Sequence, residues 1–218
     1  MTDRWATFDC YGTLIDWNGG IAGALRQLWP TADPQRMLAR YHAVEPLIQE
    51  EISLPYKEVL ARSVRALAAI GGLPLRAGDE FSLPDSLPSW PVFPEVPAAL
   101  GELRRRGWRL GVLSNTDPEL LEASLRQISV PVDLTITAAD AGSYKPAPGH
   151  WETFFARTRV DRENHIHVAA SLFHDIAPAH DLGIPAVWIN RLGESSALPR
   201  AAELTDLTHL PDTLDRIL

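Results

Sequence analysis

Apolar and polar positions along this chain change period twice. Trp5-Ala6-Thr7-Phe8 is a short apolar and aromatic run that stops at Asp9, in a polar turn containing Gly12 and Thr13; this is the pattern of a buried strand followed by a loop. From Gly19 to about Gly72 the spacing becomes helical. Ile21, Leu25 and Leu28 share one face, as do Leu38, Tyr41, Val44 and Ile48, and then Val59, Leu60, Val64 and Leu67. At least three successive helices are predicted. Pro74 ends the last of them, and Pro84, Pro88, Pro91, Pro94 and Pro97 follow, a density that predicts a stiff connector rather than helix interior.

Beyond the prolines, helices and strands alternate. Helical spacing over 95–106, 118–127, 150–157 and 174–182 separates strand-like runs at 109–113, 134–137, 166–169 and 186–189. Strands joined by helices of this length form βαβ units and a parallel sheet with right-handed crossovers. The strand at 5–8 has no partner nearby in sequence and is expected to join this sheet. The helical block from about 19 to 88 then becomes an insertion, a cap over the strand ends. The expected division is an α/β core over 1–16 and 92–218 with a helical cap domain over 17–91.

Composition narrows the function. A chain of 218 residues, 45% hydrophobic and 22% charged, has the profile of a globular protein with a sizeable core. Its one cysteine, Cys10, excludes an intrachain disulfide and a zinc site built on paired thiolates, and strand alternation makes it a buried small hydrophobe. The net charge of -8 argues against a nucleic-acid partner. No apolar run approaches the ~20 residues of a membrane span, and Met1 to Arg4 lead into a strand-like segment without a signal-peptide core. A cytoplasmic protein with no membrane partner is expected; a homodimer is left open.

In an open parallel sheet, ligands bind beyond the carboxyl ends of the strands. Those ends carry Asp9, then Ser114 and Asn115, then Ala170 to Asp175, with Lys145 in the loop after the third strand. Each alone reads as a cap, a turn residue or a solvated lysine. Four segments meeting at one rim read as a site.

Phe8-Asp9-Cys10-Tyr11-Gly12-Thr13-Leu14, Leu113-Ser114-Asn115, Ser143-Tyr144-Lys145-Pro146 and the late strand leading to Asp175 resemble, in order, the four motifs of the haloacid dehalogenase superfamily. The resemblance spans nearly the whole chain. It implies an α/β fold with a Rossmann-like, haloacid dehalogenase-like (HAD-like) parallel-sheet core and an inserted helical cap. Tyr11, two positions after the aspartate, is similar to the L-2-haloacid dehalogenase branch, whereas the superfamily's phosphatases place there a second aspartate that protonates the leaving alkoxide. The implied reaction is hydrolysis at the carbon next to a small carboxylate, with Asp9 as nucleophile and an ester intermediate. A 2-haloacid is the leading substrate.

The same resemblance assigns the other residues. Ser114, Asn115 and Lys145 would surround the nucleophile and the substrate carboxylate, and Thr13 and Asp175 would position or activate the water. Arg40, thirty-one residues beyond Asp9, has the spacing of the arginine that receives the halide, or is an ordinary solvated helix arginine. Trp151 stands where dehalogenases have a substrate-binding tyrosine. Phosphatases of the superfamily hold Mg²⁺ with acidic residues after the fourth strand; here Ala170 takes the first acidic position, and no metal or other cofactor is expected.

Ala170 and Leu172 also replace the serine and asparagine that hold the water in haloacid dehalogenases. Ser171 and His174 are the expected substitutes, in a form that resembles a branch containing an azetidine-2-carboxylate hydrolase. Strained-ring opening, phosphate-ester hydrolysis and a non-catalytic fold that binds a small acid or a protein remain open. His165 and His167 share a strand face and read as structural. Trp17, Trp90, Tyr41 and Tyr144 read as pocket wall or as packing between cap and core.

Overall fold

The computed structural model describes residues 3–49 and 54–218. Met1 and Thr2, part of the Met1 to Arg4 segment read above, lie outside the described residues. The chain opens with β1 (Arg4–Phe8) and then runs through α1 (Trp17–Leu28), α2 (Pro34–Gln49) and α3 (Tyr56–Gly71). Two short 3₁₀ turns flank α4 (Ser82–Ser86), after which come α5 (Val96–Arg105), β2 (Trp108–Ser114), α6 (Pro118–Ile128) and β3 (Leu134–Thr137). Next are α7 (Ala138–Ala141), α8 (Gly149–Thr158), β4 (His165–Ala169), a wide π turn at Leu172–Ile176 and α9 (Ala177–Asp181). The chain ends with β5 (Ala186–Ile189), β6 (Ala202–Leu204) and α10 (Leu210–Ile217).

All strand pairings are parallel, in the order β3-β2-β1-β4-β5-β6. The chain therefore leaves β1 toward β2 on one side and later returns on the other side as β4. That reversal opens a crevice at the carboxyl end of β1. Asp9 is the first residue past the strand, and its backbone N–H donates to the Val168 carbonyl of β4 at 3.1 Å. Gly12 completes the following turn at φ +91, a backbone region that side chains with a Cβ avoid.

Strand alternation sorts the core into two faces. Ala6, Phe8, Leu110, Val112 and Val168 join one apolar cluster that continues through Ile21, Leu25, Leu60 and Val64 of the inserted helices, and Cys10 is buried within it as expected. On the other face Trp5, Leu113, Trp151, Phe154 and Trp188 pack together under α8. The helical block is tied to the sheet layer at two further points. A Cβ on Gly20 would come within 2.3 Å of the Trp90 ring, so glycine is what lets that indole lie against α1. Pro55 gives α3 no side-chain cap; Asp117, at the start of α6, accepts from the Tyr56 and Lys57 backbone N–H groups at 2.9 and 2.8 Å instead.

Four sequence expectations change. The proline-rich stretch is not only connector: Pro84 falls in the first turn of α4, where its missing N–H removes no intrahelical bond. The helical segment after β4 begins at Leu172 rather than at 174. On α2 the buried stripe is Met37, Tyr41 and Glu45, whereas Val44 and Ile48 are only half-buried, so the helix is rotated from the face its aliphatic residues suggest. β6 and α10 were not anticipated: β6 is three residues long with no fully buried position, whereas α10 does carry a helical signal in Leu210, Leu214 and Ile217 that was missed.

Candidate active site

A cavity of about 570 Å³ opens at the carboxyl end of β1. Asp9, Ser114, Asn115, Lys145 and Asp175 line it from the strand ends, and Trp17, His42, Glu45, Gln49 and Tyr56 line it from the helical block.

Lys145 organises the strand-end side. Its ammonium is fully buried and donates to Asp9 Oδ1 at 2.8 Å, Asp175 Oδ1 at 2.7 Å and the Leu113 carbonyl at 2.9 Å, so all three protons are placed. Burial pulls the ammonium pKa down, but the two carboxylates more than offset this and hold it above its ordinary value. The two carboxylates then part ways. Burial raises Asp9, with the Asp175 charge adding to the effect and Lys145 opposing it. Asp175 would be raised by burial too, yet Lys145 and His167 together hold it well below the usual carboxylate range.

Thr13 Oγ1 donates to Asp9 Oδ2 at 3.0 Å and accepts from the Ala170 N–H at 2.9 Å, which fixes the carboxylate against the β4 loop. Asn115 has both ends of its amide on the Lys145 backbone, Nδ2 to the carbonyl at 2.9 Å and Oδ1 from the N–H at 2.6 Å. Its side chain therefore anchors the lysine loop, a different task from the expected contact with substrate. Ser114 lines the cavity with a buried hydroxyl that has no partner among the described residues. Ser171 Oγ accepts from the His174 N–H at 3.0 Å and lies 3.1 Å from its Nδ1, and burial lowers the imidazole pKa. Tyr11 shows its ring to the cavity, but its hydroxyl lies 3.0 Å from Ser124 Oγ and 3.4 Å from the Leu120 carbonyl of α6. Burial pushes that phenol above its ordinary value, and it remains protonated.

Two expected substrate-binding residues are placed elsewhere. Arg40 does not line the cavity; its guanidinium lies against the carboxyl-terminal turn of α3, 3.3 Å from where a Cβ on Gly71 would be, at the end of the helix that attracts cations. Trp151 is also absent from the lining. It is buried on the far face of the sheet, its ring edge-on to His167 with centroids 5.3 Å apart.

His167 belongs to the site more directly than its strand position suggested. Its Nε2 lies 2.9 Å from Asp175 Oδ1, its Nδ1 is 2.9 Å from Thr7 Oγ1, and that hydroxyl is in turn 2.6 Å from His165 Nε2. Thr7 pairs with His167 in the β1–β4 ladder, so the alternation that buries Trp5 also lines up this polar row. Glu45, His42, Tyr56 and Arg191 were not anticipated as lining, whereas Trp17, read as pocket wall or as packing, does line the cavity. The available signal was Glu45 itself, a charge in register with Met37 and Tyr41 on the buried side of α2.

The sequence profile of the haloacid dehalogenase-like hydrolases matches residues 4–183. The (S)-2-haloacid dehalogenase 1 of Pseudomonas sp. (strain CBS-3) is 28% identical over 235 aligned positions, which cover 98% of this chain and 97% of that protein. The crystal structure of the L-2-haloacid dehalogenase RSc1362 superposes with a TM-score of 0.88 at 26% identity, covering 99% of this chain and 100% of the other. A phosphoserine phosphatase of Thermus thermophilus is 29% identical over 143 positions, covering 63% of this chain and 55% of its own.

Proposed function

The chain belongs to the haloacid dehalogenase-like hydrolase family, and from that premise we propose that it hydrolyses a small 2-haloacid through an ester on Asp9. The setting of Asp9 carries the reading: its carboxylate is held by Thr13 and Lys145, and no acid stands at the position two residues on. Asp9 attacks the carbon that bears the halogen. The carbon–oxygen bond forms as the carbon–halogen bond breaks, and halide departs with the bonding electrons. A halide needs no proton, whereas the alkoxide released from a phosphate ester does, and the Tyr11 hydroxyl is engaged with α6. Water then adds to the Asp9 carbonyl carbon, the 2-hydroxy acid leaves and the carboxylate is restored.

In this reading Ser114 receives the substrate carboxylate, Lys145 balances Asp9 and Asp175, and Asn115 positions Lys145. Thr13 aligns the nucleophile. Asp175 and the neutral His174, paired with Ser171, hold and deprotonate the hydrolytic water. Residues 17–91 act as a cap domain over a core of 1–16 and 92–218. Phosphatases of the superfamily hold Mg²⁺ beside such carboxylates; here the Lys145 ammonium lies between Asp9 and Asp175, and Ala170 offers no side-chain oxygen. The residues present do not fit a divalent cation, and the proposed reaction needs none. Among the described residues no helix is long and apolar enough to cross a membrane. The reading extends to a cytoplasmic enzyme acting on a small carboxylate without nucleic-acid or membrane partners; light scattering tests a homodimer.

A single turnover of 2-chloropropionate in H₂¹⁸O is the direct test. The label is expected first in the Asp9 carboxylate, with turnover unaffected by EDTA. Label found in the product of the first turnover and absent from the protein overturns the ester. Mg²⁺-dependent cleavage of a phosphomonoester, with no halide released, overturns the reaction.

A further inference from the structure

The strand-end carboxylates share a cation, and the carboxyl on the facing wall has none among the described residues. Glu45 is only 4% exposed, lines the cavity, and makes one hydrogen bond among the described residues, accepting from the Gln49 amide four residues along its own helix. The cations in the cavity are committed elsewhere: Lys145 to Asp9 and Asp175, and Arg191 to Glu95 and the Thr13 carbonyl. A buried carboxylate without a cation keeps a proton instead of a charge unless something outside the chain supplies the counter-charge.

The surroundings of Glu45 are aromatic. Trp17 stacks on His42 with centroids 5.2 Å apart and planes within 1°, and its indole Nε1 donates to the Tyr56 hydroxyl at 3.3 Å. Trp17, His42 and Tyr56 all line the cavity alongside Glu45. A carboxylate that shares a cavity wall with an indole and a phenol is a combination that suits an organic ammonium ion, because aromatic rings attract a cation and the carboxylate neutralises it.

We propose that Glu45, with Trp17, His42 and Tyr56, forms a subsite for an ammonium group, and that the substrates are small carboxylic acids carrying that group beyond the reacting carbon. The inference rests on the proposed reading of this cavity as the substrate site, and it adds a cationic handle to the acid expected there.

Isothermal calorimetry with 5-aminopentanoate and pentanoate tests it without turnover. The wild-type protein should bind 5-aminopentanoate tighter by roughly ten-fold or more, and Glu45→Gln should abolish that preference. Equal affinities in the wild type, or a preference that survives in Glu45→Gln, overturn the subsite. The wild-type comparison decides the matter even where the variant does not fold. Halide release from 2-chloropropionate is measured in parallel: turnover with equal affinities overturns the subsite and keeps the reaction, whereas the ammonium preference with no turnover of any 2-haloacid overturns the reaction and keeps the subsite.

Discussion

At the strand ends Lys145 lies within 3 Å of both Asp9 and Asp175, and the His167 imidazole is 2.9 Å behind Asp175. Across the cavity, on α2, Glu45 has among the described residues only the neutral amide of Gln49, and burial pushes its carboxyl up to about 7. The two walls also differ in how they are held. The strand-end groups stand at the edge of a six-stranded sheet, with Asn115 anchoring the Lys145 loop, while the facing wall is carried by helices joined to the core through apolar packing, the Asp117 clamp and the Tyr144 hydroxyl on the Leu54 carbonyl. The difference separates two tasks. Chemistry is placed where geometry is rigid and charge is balanced, and discrimination is placed where a ligand must complete the balance.

Breaking the balanced side should have the largest effect. Asp9→Asn removes the nucleophile and is expected to lower turnover by at least on the order of 10³-fold, with the fold retained. Halide release, with intact-mass analysis to exclude deamidation, is the measurement; a near-wild-type rate in a verified sample removes Asp9 from the mechanism. Because burial raises Asp9 and the anion is the reactive form, kcat/KM in the wild type should fall on the acid side at a pH above the ordinary aspartate value of 3.8.

Lys145→Met leaves two buried carboxylates without a cation and should cost about 3 to 5 kcal/mol of stability near neutral pH. The sign of its pH dependence is a sharper check. In the wild type Asp175 is depressed, so its contribution is present above the ordinary carboxylate range and is lost only as pH falls through the depressed value. In the variant both carboxylates are raised, and their burden appears as pH rises through those raised values. Urea unfolding should therefore show the gap between wild type and variant widening from pH 5 to pH 8; a constant gap means that Lys145 does not set these charges.

His167→Phe keeps a ring beside Trp151 but removes the bonds to Asp175 and Thr7, at an expected cost of about 2 kcal/mol. The acid limb of stability should move to higher pH as Asp175 loses part of what depresses it. An unchanged acid limb would make His167 packing alone. The smallest effect is expected at the joint: Asp117→Ala removes the remote cap of α3 and should cost about 1 kcal/mol. Its mark is a higher KM with kcat little changed, since the clamp holds the discriminating wall rather than the nucleophile.

The parallel core and its reactive end were legible in the sequence because both rest on local signals. Five of the six strands are short apolar runs bounded by turns, and Asp9, Ser114, Asn115, Lys145 and Asp175 each follow such a run or sit in a motif at a strand end. Strand alternation also placed Cys10 inside the core and His165 and His167 on one face. Which partner those histidines meet depends on a turn that brings Asp175 back over β4, a contact eight residues apart that alternation alone does not specify. Arg40 and Trp151 moved for the same kind of reason: a one-dimensional spacing carried from other chains does not say how a helix is rotated or which face of the sheet a ring enters. The rotation of α2 was decided by packing against α1 and α3, and it turned Glu45, rather than Arg40, into the cavity. Sequence by itself determined five of the six strands, their direction and the residues at their ends, since these follow from hydrophobic period and turn chemistry; the tertiary structure alone decided which charges are paired, because pairing depends on distances between segments that the chain brings together only when its core is buried.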